Sequence, residues 1–373
     1  MLRRLLSAMV AVVACMVATA QGICVINGTI ADCKLNDGKK VKSVTLTRTD
    51  ESGREIEVAK AKVKKGKYTF KCEISKDEPV LMYEIRGLDE GTGIELFVEE
   101  GTVEVTTASA AQVCESRVGG TPTNDVYSGF KAILNNGYLE AEKYSDESLK
   151  SKEKVKTMSQ AIRYLIDHNA SPMTPLMIER WLLHILTPAY ADQMLKTIAF
   201  PLHSHPYYLS LRNKVLAGNL KVGSEVPDIR LSLIGGETKH LSDFRGRYVV
   251  LNFWTDGCEK SAAMIEEVGN LYDIVKENQE QIVIVSVAIE SDIAAWKAAV
   301  SSNGMERDGW LNACDGLGAD SPAAKLLGVE NAPRIIVVEP EGLAVTLDMD
   351  MDELIMRIEQ ILSGDLYYLD QKD

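Results

Sequence analysis

One stretch of the chain decides its fold: Val249-Val250-Leu251-Asn252-Phe253-Trp254-Thr255-Asp256-Gly257-Cys258-Glu259-Lys260-Ser261. It opens with an apolar run rich in β-branched residues, which predicts a strand buried on both faces. Asp256-Gly257 indicates a turn, and the apolar residues after it recur at helical spacing. These apolar residues are Ala262, Ala263, Ile265, Val268 and Leu271. Cys258 therefore lies where a strand passes into a helix.

The start of a helix is a favourable place for the thiolate form of Cys258. Unpaired backbone N–H groups and the positive end of the helix dipole stabilise a negative charge there. A thiolate in such a position attacks disulfides. The alternative is a small apolar residue that packs at the helix start. Because the flanking pattern is more specific than a lone cysteine, we predict a nucleophile.

Phe253-Trp254 followed by a cysteine at a helix start resembles the thioredoxin fold, and specifically the ResA/TlpA-like thiol-disulfide oxidoreductases. The similarity is almost continuous over residues 222–362. It implies that Trp254 and Glu259 belong to the active site, since Glu259 matches an acidic residue of the ResA site. Two residues depart from the family pattern. Ser261 stands where the second cysteine of Cys-x-x-Cys is expected, and Gly257 replaces an aromatic residue.

The resemblance also implies a role for Pro333, which directly precedes the apolar run 335–338. In thioredoxin folds, a cis-proline at this place faces the active cysteine. A cis X–Pro bond turns the preceding backbone groups towards an incoming peptide. The alternative is an ordinary trans proline in a turn. We predict a cis-proline that contributes to substrate binding.

The missing second cysteine leaves several functions open. Ser261 cannot resolve a mixed disulfide, although its hydroxyl can hydrogen-bond a thiolate and lower its pKa. An external thiol could release the substrate, Cys314 could resolve it within the chain, or the domain could be a catalytically degenerate protein-binding module. Thr255-x-x-Cys258 also matches part of a peroxiredoxin motif, without the proline that precedes its threonine. We predict thiol–disulfide exchange, as a reductase or isomerase, through the single cysteine Cys258.

The composition limits the partners. The 373-residue chain is long enough for two or three domains, and its net charge is −13. No basic stripe favours nucleic acid, so we expect protein thiols or disulfides and an external thiol reductant as partners. No cofactor is predicted. His203-Ser204-His205 is interpreted as a surface turn rather than a metal site, because no third ligand lies nearby in sequence.

The first residues have the pattern of a secretory signal peptide. A basic start at Arg3 and Arg4 precedes an apolar run that is too short to span a bilayer. We predict a signal peptide at 1–20, cleaved before Gln21, and an exported protein that is periplasmic or associated with the cell envelope. Lipidation at Cys15 is the alternative, and only then would the chain be attached to a membrane.

Three domains are predicted after the signal peptide: a β-domain at 21–122, a helical spacer at 123–220 and an α/β thioredoxin-like domain at 221–373. Alternating apolar residues such as Val44 and Leu46, with regular turns between them, predict an antiparallel sandwich or barrel. This segment resembles the β-domain of unknown function that precedes redoxin domains in exported bacterial proteins.

Four cysteines of the β-domain are candidates for a disulfide: Cys24, Cys33, Cys72 and Cys114. Export to an oxidising compartment and their even number predict at least one disulfide among them. Four cysteines allow three pairings, and the sequence does not choose between them. A period of two places Cys72 on the inward face with Tyr68 and Phe70.

Overall fold

The computed structural model describes residues 21–49, 54–75, 77–88 and 93–363. The predicted signal peptide and the alternative lipidation site at Cys15 lie outside these residues. The chain divides into two compact units, one up to Thr174 and one from Pro175. Helices from the predicted spacer therefore belong to both units.

The described residues of the first unit form a β-domain of eight strands. They are β1 (Gln21–Asp32), β2 (Ser43–Thr49), β3 (Glu55–Lys62), β4 (Lys67–Ser75), β5 (Leu81–Arg86), β6 (Ile94–Val98), β7 (Gly101–Ser109) and β8 (Arg117–Gly119). They pair in two sheets, in the orders β4-β1-β7-β8 and β3-β2-β5-β6. Inward side chains of both sheets, such as Ile26 and Leu46, share one core. The predicted sandwich is confirmed.

The direction of one strand pair differs from the prediction of an antiparallel sandwich. β1 runs antiparallel to β4, but it runs parallel to β7 over most of its length. The alternation of apolar residues decides which face of a strand is buried, as it does for Val44 and Leu46. It does not decide the direction of the partner strand. This is why the sequence alone could not predict the parallel pair.

The disulfide predicted among the β-domain cysteines is not formed in this structure. Cys24, Cys33, Cys72 and Cys114 are all free thiols. Cys33 follows β1 and its S–H donates to the carbonyl of Ile30 at 3.6 Å, while Cys114 is exposed in a short 3-10 turn. Neither cysteine lies on a strand with another cysteine opposite. The pairing of β1 with β4, however, places Cys24 opposite Cys72.

Helices follow the sandwich, and several of them begin at a proline. They are α1 (Pro122–Ala141), α2 (Glu147–Asp167), α3 (Met173–Met177), α4 (Pro188–Thr197) and α5 (Pro206–Gly218), with a π-helical turn at Ile178–Leu182 and a 3-10 turn at Phe200–Leu202. Proline suits the first helical position, because its missing N–H would have no partner there. Among the described residues, no helix combines the length and the apolar character needed to cross a membrane.

The His203-Ser204-His205 pair supports the local structure around α5. His205 is buried, which the predicted surface turn did not foresee, and its Nδ1 accepts a hydrogen bond from the N–H of Tyr207. This bond caps α5. His203 stacks on Tyr208, with 4.3 Å between the ring centroids. The part of the chain that the structure describes holds no cluster of His, Cys, Asp and Glu suited to a metal ion.

The second unit contains the predicted thioredoxin-like domain. Its elements are β9 (Arg230–Ser232), β10 (Thr238–His240), β11 (Tyr248–Trp254), α6 (Glu259–Val275), β12 (Ile282–Ala288), α7 (Ile293–Ser302), β13 (Trp310–Ala313), α8 (Pro322–Leu326), β14 (Arg334–Val338), β15 (Ala344–Thr346) and α9 (Met351–Ser363), with 3-10 turns at Leu241–Phe244 and Gly318–Asp320. Five of the strands form one sheet in the order β13-β12-β11-β14-β15. Apolar cores lie on both of its faces, one of them beneath α6, α7 and α9.

The sheet brings several loops to one edge. β11, β12 and β13 are mutually parallel, so their carboxyl ends meet there. β14 runs antiparallel to β11 and begins at this edge, where Arg334 pairs with Phe253. Four parts of the chain therefore lie at one end of the sheet. They are the turn before Cys258, the residues after Ala288, the residue after Ala313, and Pro333.

Candidate active site at the carboxyl edge of the sheet

Cys258 is the residue that immediately precedes α6. Its backbone is extended, with φ −99° and ψ 116°, and its carbonyl accepts a hydrogen bond from the N–H of Ala262 at 2.9 Å. Gly257 before it has a φ of +71°, a left-handed conformation that glycine adopts without strain. The turn leads the chain from β11 into α6, and the side chain of Cys258 remains partly exposed.

The surroundings of Cys258 favour its thiolate form. The backbone N–H of Ser261 and then its hydroxyl hold the pKa of Cys258 below its usual value. Desolvation opposes them with an effect smaller than either contribution of Ser261, and the N–H and positive charge of Lys260 lower the pKa of Cys258 a little further. The first turn of a helix offers such unpaired donors to a negative group at its N-terminus. Cys258 is thus a partly exposed thiol with a depressed pKa.

Ser261 occupies the buried side of the site. It is 0% exposed, and its Oγ accepts a hydrogen bond from the N–H of Thr255 at 3.2 Å. Because that N–H donates to the oxygen, the hydroxyl hydrogen of Ser261 is free to point at the sulfur of Cys258. Ser261 can therefore stabilise a thiolate and position the turn, but it has no sulfur with which to resolve a disulfide.

Glu290, which the sequence analysis missed, holds the turn before Cys258 in place. Its Oε1 accepts hydrogen bonds from the hydroxyl of Thr255 at 2.6 Å and from the N–H of Asp256 at 2.7 Å. A positional signal was available: Glu290 follows the second buried strand of a βαβ unit, whose carboxyl end must lie beside that of the first. Since Thr255 gives its hydroxyl hydrogen to Glu290, it does not direct that hydrogen at Cys258. This hydrogen bond does not favour the peroxidase alternative, which rests on the sequence match of Thr255-x-x-Cys258.

Cys314 lies in the core rather than at the surface. It is 4% exposed, packs in the same apolar cluster as Trp254 and Trp296, and its S–H donates to the carbonyl of Glu290 at 3.5 Å. Burial raises the pKa of Cys314. A resolving cysteine must reach the mixed disulfide as a thiolate. The surroundings of Cys314 are therefore the opposite of what the resolving role requires.

The other site residues predicted from the sequence take different positions. The Ala332–Pro333 peptide bond is cis, and Pro333 lies at the edge where β11 ends. Trp254 is 1% exposed and packs in the core beneath the site. Glu259 is the exposed first residue of α6. The structure thus brings Cys258 and Ser261 into contact, places Pro333 at the same edge, and places Trp254 in the core and Glu259 at the exposed helix start.

Two regions of the chain match known sequence families. Residues 24–127 match a family described as a domain of unknown function, DUF4369, and residues 246–343 match a family described as thioredoxin-like. The thiol-disulfide oxidoreductase ResA of Bacillus subtilis is 31% identical over 138 residues, which cover 36% of this chain and 73% of that protein. The ResA of Geobacillus kaustophilus is 38% identical over 66 residues, or 18% of this chain and 38% of that protein.

Solved structures are similar to one part of the chain. A thiol-disulfide oxidoreductase from Bacteroides fragilis aligns with a TM-score of 0.35 and 25% sequence identity, over 37% of this chain and 99% of that protein. A thiol:disulfide interchange protein from a Bacteroides species aligns with a TM-score of 0.34 and 25% identity, over 39% of this chain and 92% of that protein.

Proposed function

This chain belongs to the ResA/TlpA-like family of thiol-disulfide oxidoreductases, and we propose that it performs thiol–disulfide exchange through the single cysteine Cys258. One observation carries the proposal. Cys258 lies at the N-terminus of α6, partly exposed, where the N–H and hydroxyl of Ser261 lower its pKa. The nucleophile of the family is thus retained in a setting that activates it, whereas its usual internal partner is replaced by serine.

The reaction has two exchange steps. The Cys258 thiolate attacks one sulfur of a client disulfide, and the other client sulfur leaves as a thiolate while a mixed disulfide forms. An external thiolate then attacks the sulfur of Cys258 or that of the client. In the first case the client leaves reduced and Cys258 carries the external group until a second thiol removes it. In the second case Cys258 is regenerated directly and the client remains joined to the external thiol.

We propose that the client binds as an extended segment beside Pro333. The position of Pro333 at the edge where β11 ends supports this, because backbone groups before a proline at that edge are available to an approaching strand. Trp254 supports the site from the core, and exposed Glu259 is in a position to contact clients. The identity of the chain with the ResA proteins supports client thiols or disulfides as a substrate class.

We further propose that the protein acts outside the cytoplasm, in the periplasm or at the cell envelope. The support is the basic and apolar pattern of residues 1–20, which lie outside the described residues, and the persistence of client disulfides in oxidising compartments. Cleavage before Gln21 and lipidation at Cys15 predict different masses for the mature chain. Intact mass measurement of the protein recovered from its native host distinguishes them.

Trapping of a mixed disulfide tests the exchange function. The full chain is incubated with a peptide that contains one disulfide, quenched in acid and mapped by mass spectrometry without reduction. We expect the adduct on Cys258, no adduct at this site in Cys258→Ala, and an unchanged adduct in Cys314→Ala. A larger trapped fraction in Cys314→Ala would instead identify that thiol as the resolving cysteine.

The same experiment addresses the binding-module alternative. In Ser261→Cys, the restored pair should release the peptide in reduced form and lower the trapped fraction, because an internal thiol competes with the external one. If Cys258 reacts no faster than a free model thiol and traps no peptide, the exchange function is wrong. A domain that still binds the peptide without trapping it would then be a thioredoxin-fold binding module.

A further inference from the structure

Two cysteines of the β-domain face each other across neighbouring strands. β1 pairs antiparallel with β4, and Cys24 lies directly opposite Cys72. Opposed residues of such a pair have Cα atoms about 4.5–5.5 Å apart, which falls within the range of about 4.4–6.8 Å that disulfides span. Both side chains lie on the inner face, since Cys24 belongs to the shared core and Cys72 packs against it.

Cys24 and Cys72 differ in solvent exposure, and this difference sets the order in which they react. Cys24 is 0% exposed, whereas Cys72 is only partly buried. A reagent in solution therefore reaches Cys72 first. Cys24 can react only with a group that Cys72 already carries. Of the cysteines that the structure describes, these two alone are register partners on adjacent strands.

We propose that Cys24 and Cys72 form a second thiol–disulfide couple, distinct from Cys258, which a small-molecule disulfide such as oxidised glutathione converts from dithiol to disulfide. The Cys72 thiolate attacks the small disulfide and releases one small thiolate. Cys24 then attacks the sulfur of Cys72 and releases the second. The two cysteines together lose two protons and two electrons, and the small disulfide takes up the electrons as two thiols.

The hydrogen bonding of the two strands indicates that this disulfide is easily reversed. The N–H of Ile30 donates to the carbonyl of the opposed residue Gly66 at 2.7 Å. Alternate positions share this pattern, so Cys24 and Cys72 are also a hydrogen-bonded pair. In such pairs the Cβ atoms are farther apart than the mean of about 3.8 Å in disulfides. A disulfide that must draw the strands together is more readily reduced than a relaxed one.

The couple should be slow at neutral pH and faster in alkali. Burial, and then the neighbouring Cys72 and the charge of Glu99, raise the pKa of Cys24 to about 11, against one hydrogen bond from the Glu99 backbone. Burial and the charge of Glu78 also raise the pKa of Cys72. The thiolates that exchange requires become more abundant as the pH rises towards these values. Cys258, with its depressed pKa, forms its thiolate at a lower pH than either of these cysteines.

Oxidation of the full-length Cys258→Ala chain tests the couple without any contribution from the proposed active site. The protein is incubated with oxidised glutathione at about pH 8.5, near the pKa of a free thiol, then alkylated after unfolding and digested without reduction. We expect a peptide pair joined through Cys24 and Cys72 that lacks two hydrogens. Dithiothreitol at low concentration should separate the pair before the protein unfolds.

Single substitutions distinguish this couple from adventitious oxidation. In Cys24→Ser, Cys72 should keep a bound glutathione, because nothing opposite it can resolve the mixed disulfide. In Cys72→Ser, buried Cys24 should stay unmodified. The matched double variant Cys33→Ser and Cys114→Ser should leave the linked pair unchanged. Full alkylation of Cys24 and Cys72 after the oxidation step, or a link from either of them to Cys33 or Cys114, would overturn the proposal.

Discussion

Cys258 and Cys24 carry the same side chain in two environments that change its chemistry in opposite directions. Cys258 lies at a helix start in the thioredoxin-like domain, where nearby hydrogen-bond donors lower its pKa. Cys24 lies in the core of the β-sandwich, where burial raises its pKa to about 11. Cys258 is partly exposed to reagents, and Cys24 is not.

The difference shows that burial and nearby hydrogen-bond donors, rather than the residue type, set the pKa of a cysteine. Both cysteines have a backbone donor within reach, since the N–H of Glu99 also lowers the pKa of Cys24. In the sandwich core that single donor is outweighed by desolvation. At the helix start, several donors act together and desolvation is the smaller effect.

The largest expected effect is the difference between the two thiols in their rates of alkylation. With a pKa of about 11, Cys24 is ionised at neutral pH in only about one molecule in 10⁴. We expect native Cys258 to react with iodoacetamide at least about 10³-fold faster than Cys24 at neutral pH. Peptide mass spectrometry over a time course measures both rates. Similar rates would show that the two environments do not control the reactivity of these thiols.

Removing the carboxylate of Glu290 should loosen the turn that presents Cys258. Glu290→Ala removes the acceptor of two hydrogen bonds, and we expect a loss of about 1–2 kcal/mol in the free energy of unfolding of this domain. The matched control is Glu259→Ala, which removes an exposed acid at the helix start and should cost about 0.5 kcal/mol. Denaturant titration measures both variants. Equal losses would contradict the role assigned to Glu290.

Ser261→Ala should make Cys258 more like an ordinary thiol. The substitution removes the hydroxyl that helps to lower the pKa of Cys258 and keeps the backbone N–H. Alkylation at about pH 6, well below the free-thiol pKa of about 8.5, should therefore be several-fold slower. The difference should disappear in alkali, where both proteins carry the thiolate. Ser301→Ala, at an exposed helical position, is the control, and identical pH profiles for all three proteins would refute the role of Ser261.

The smallest expected effect concerns the polarity of the core around Cys24. Tyr68 packs in the same core, and its buried hydroxyl has no hydrogen-bond partner among the described residues. Tyr68→Phe should lower the free energy of unfolding by less than about 0.5 kcal/mol, or raise it, because no hydrogen bond is lost. Tyr127→Phe removes a hydroxyl that donates to Glu95 and should cost about 1–2 kcal/mol. Equal losses would mean that the Tyr68 hydroxyl has a hydrogen-bond partner, such as a water molecule, in the core near Cys24.

The sequence predicted the strand, turn and helix around Cys258. An apolar strand, a turn containing glycine and a run of helical spacing placed Cys258 before a helix, and each of these signals depends on near neighbours. Ser261 was also found, because it is only three positions from Cys258 and belongs to the same turn of helix.

The parts that were missed depend on residues that are distant in sequence. Glu290 contacts Thr255 across a separation of 35 residues, and only the layout of the sheet brings them together. The opposition of Cys24 and Cys72 depends on strand register, which no local pattern encodes. Cys314 was considered as a resolving thiol because its burial follows from packing with Trp254 and Trp296 rather than from its own neighbours.

The parallel pairing of β1 with β7 has a consequence for how the β-domain is made. β1 is its first strand to be synthesised, yet it lies between two strands that are made later, and its side chains meet those of β7 across 77 positions, as Asn27 and Glu104 do. Ribosomes add about 5–20 residues per second, so several seconds separate the synthesis of the two strands. Contacts between residues so far apart in sequence raise the contact order, and a higher contact order slows folding. The sandwich can therefore close only after nearly all of its chain has been translated.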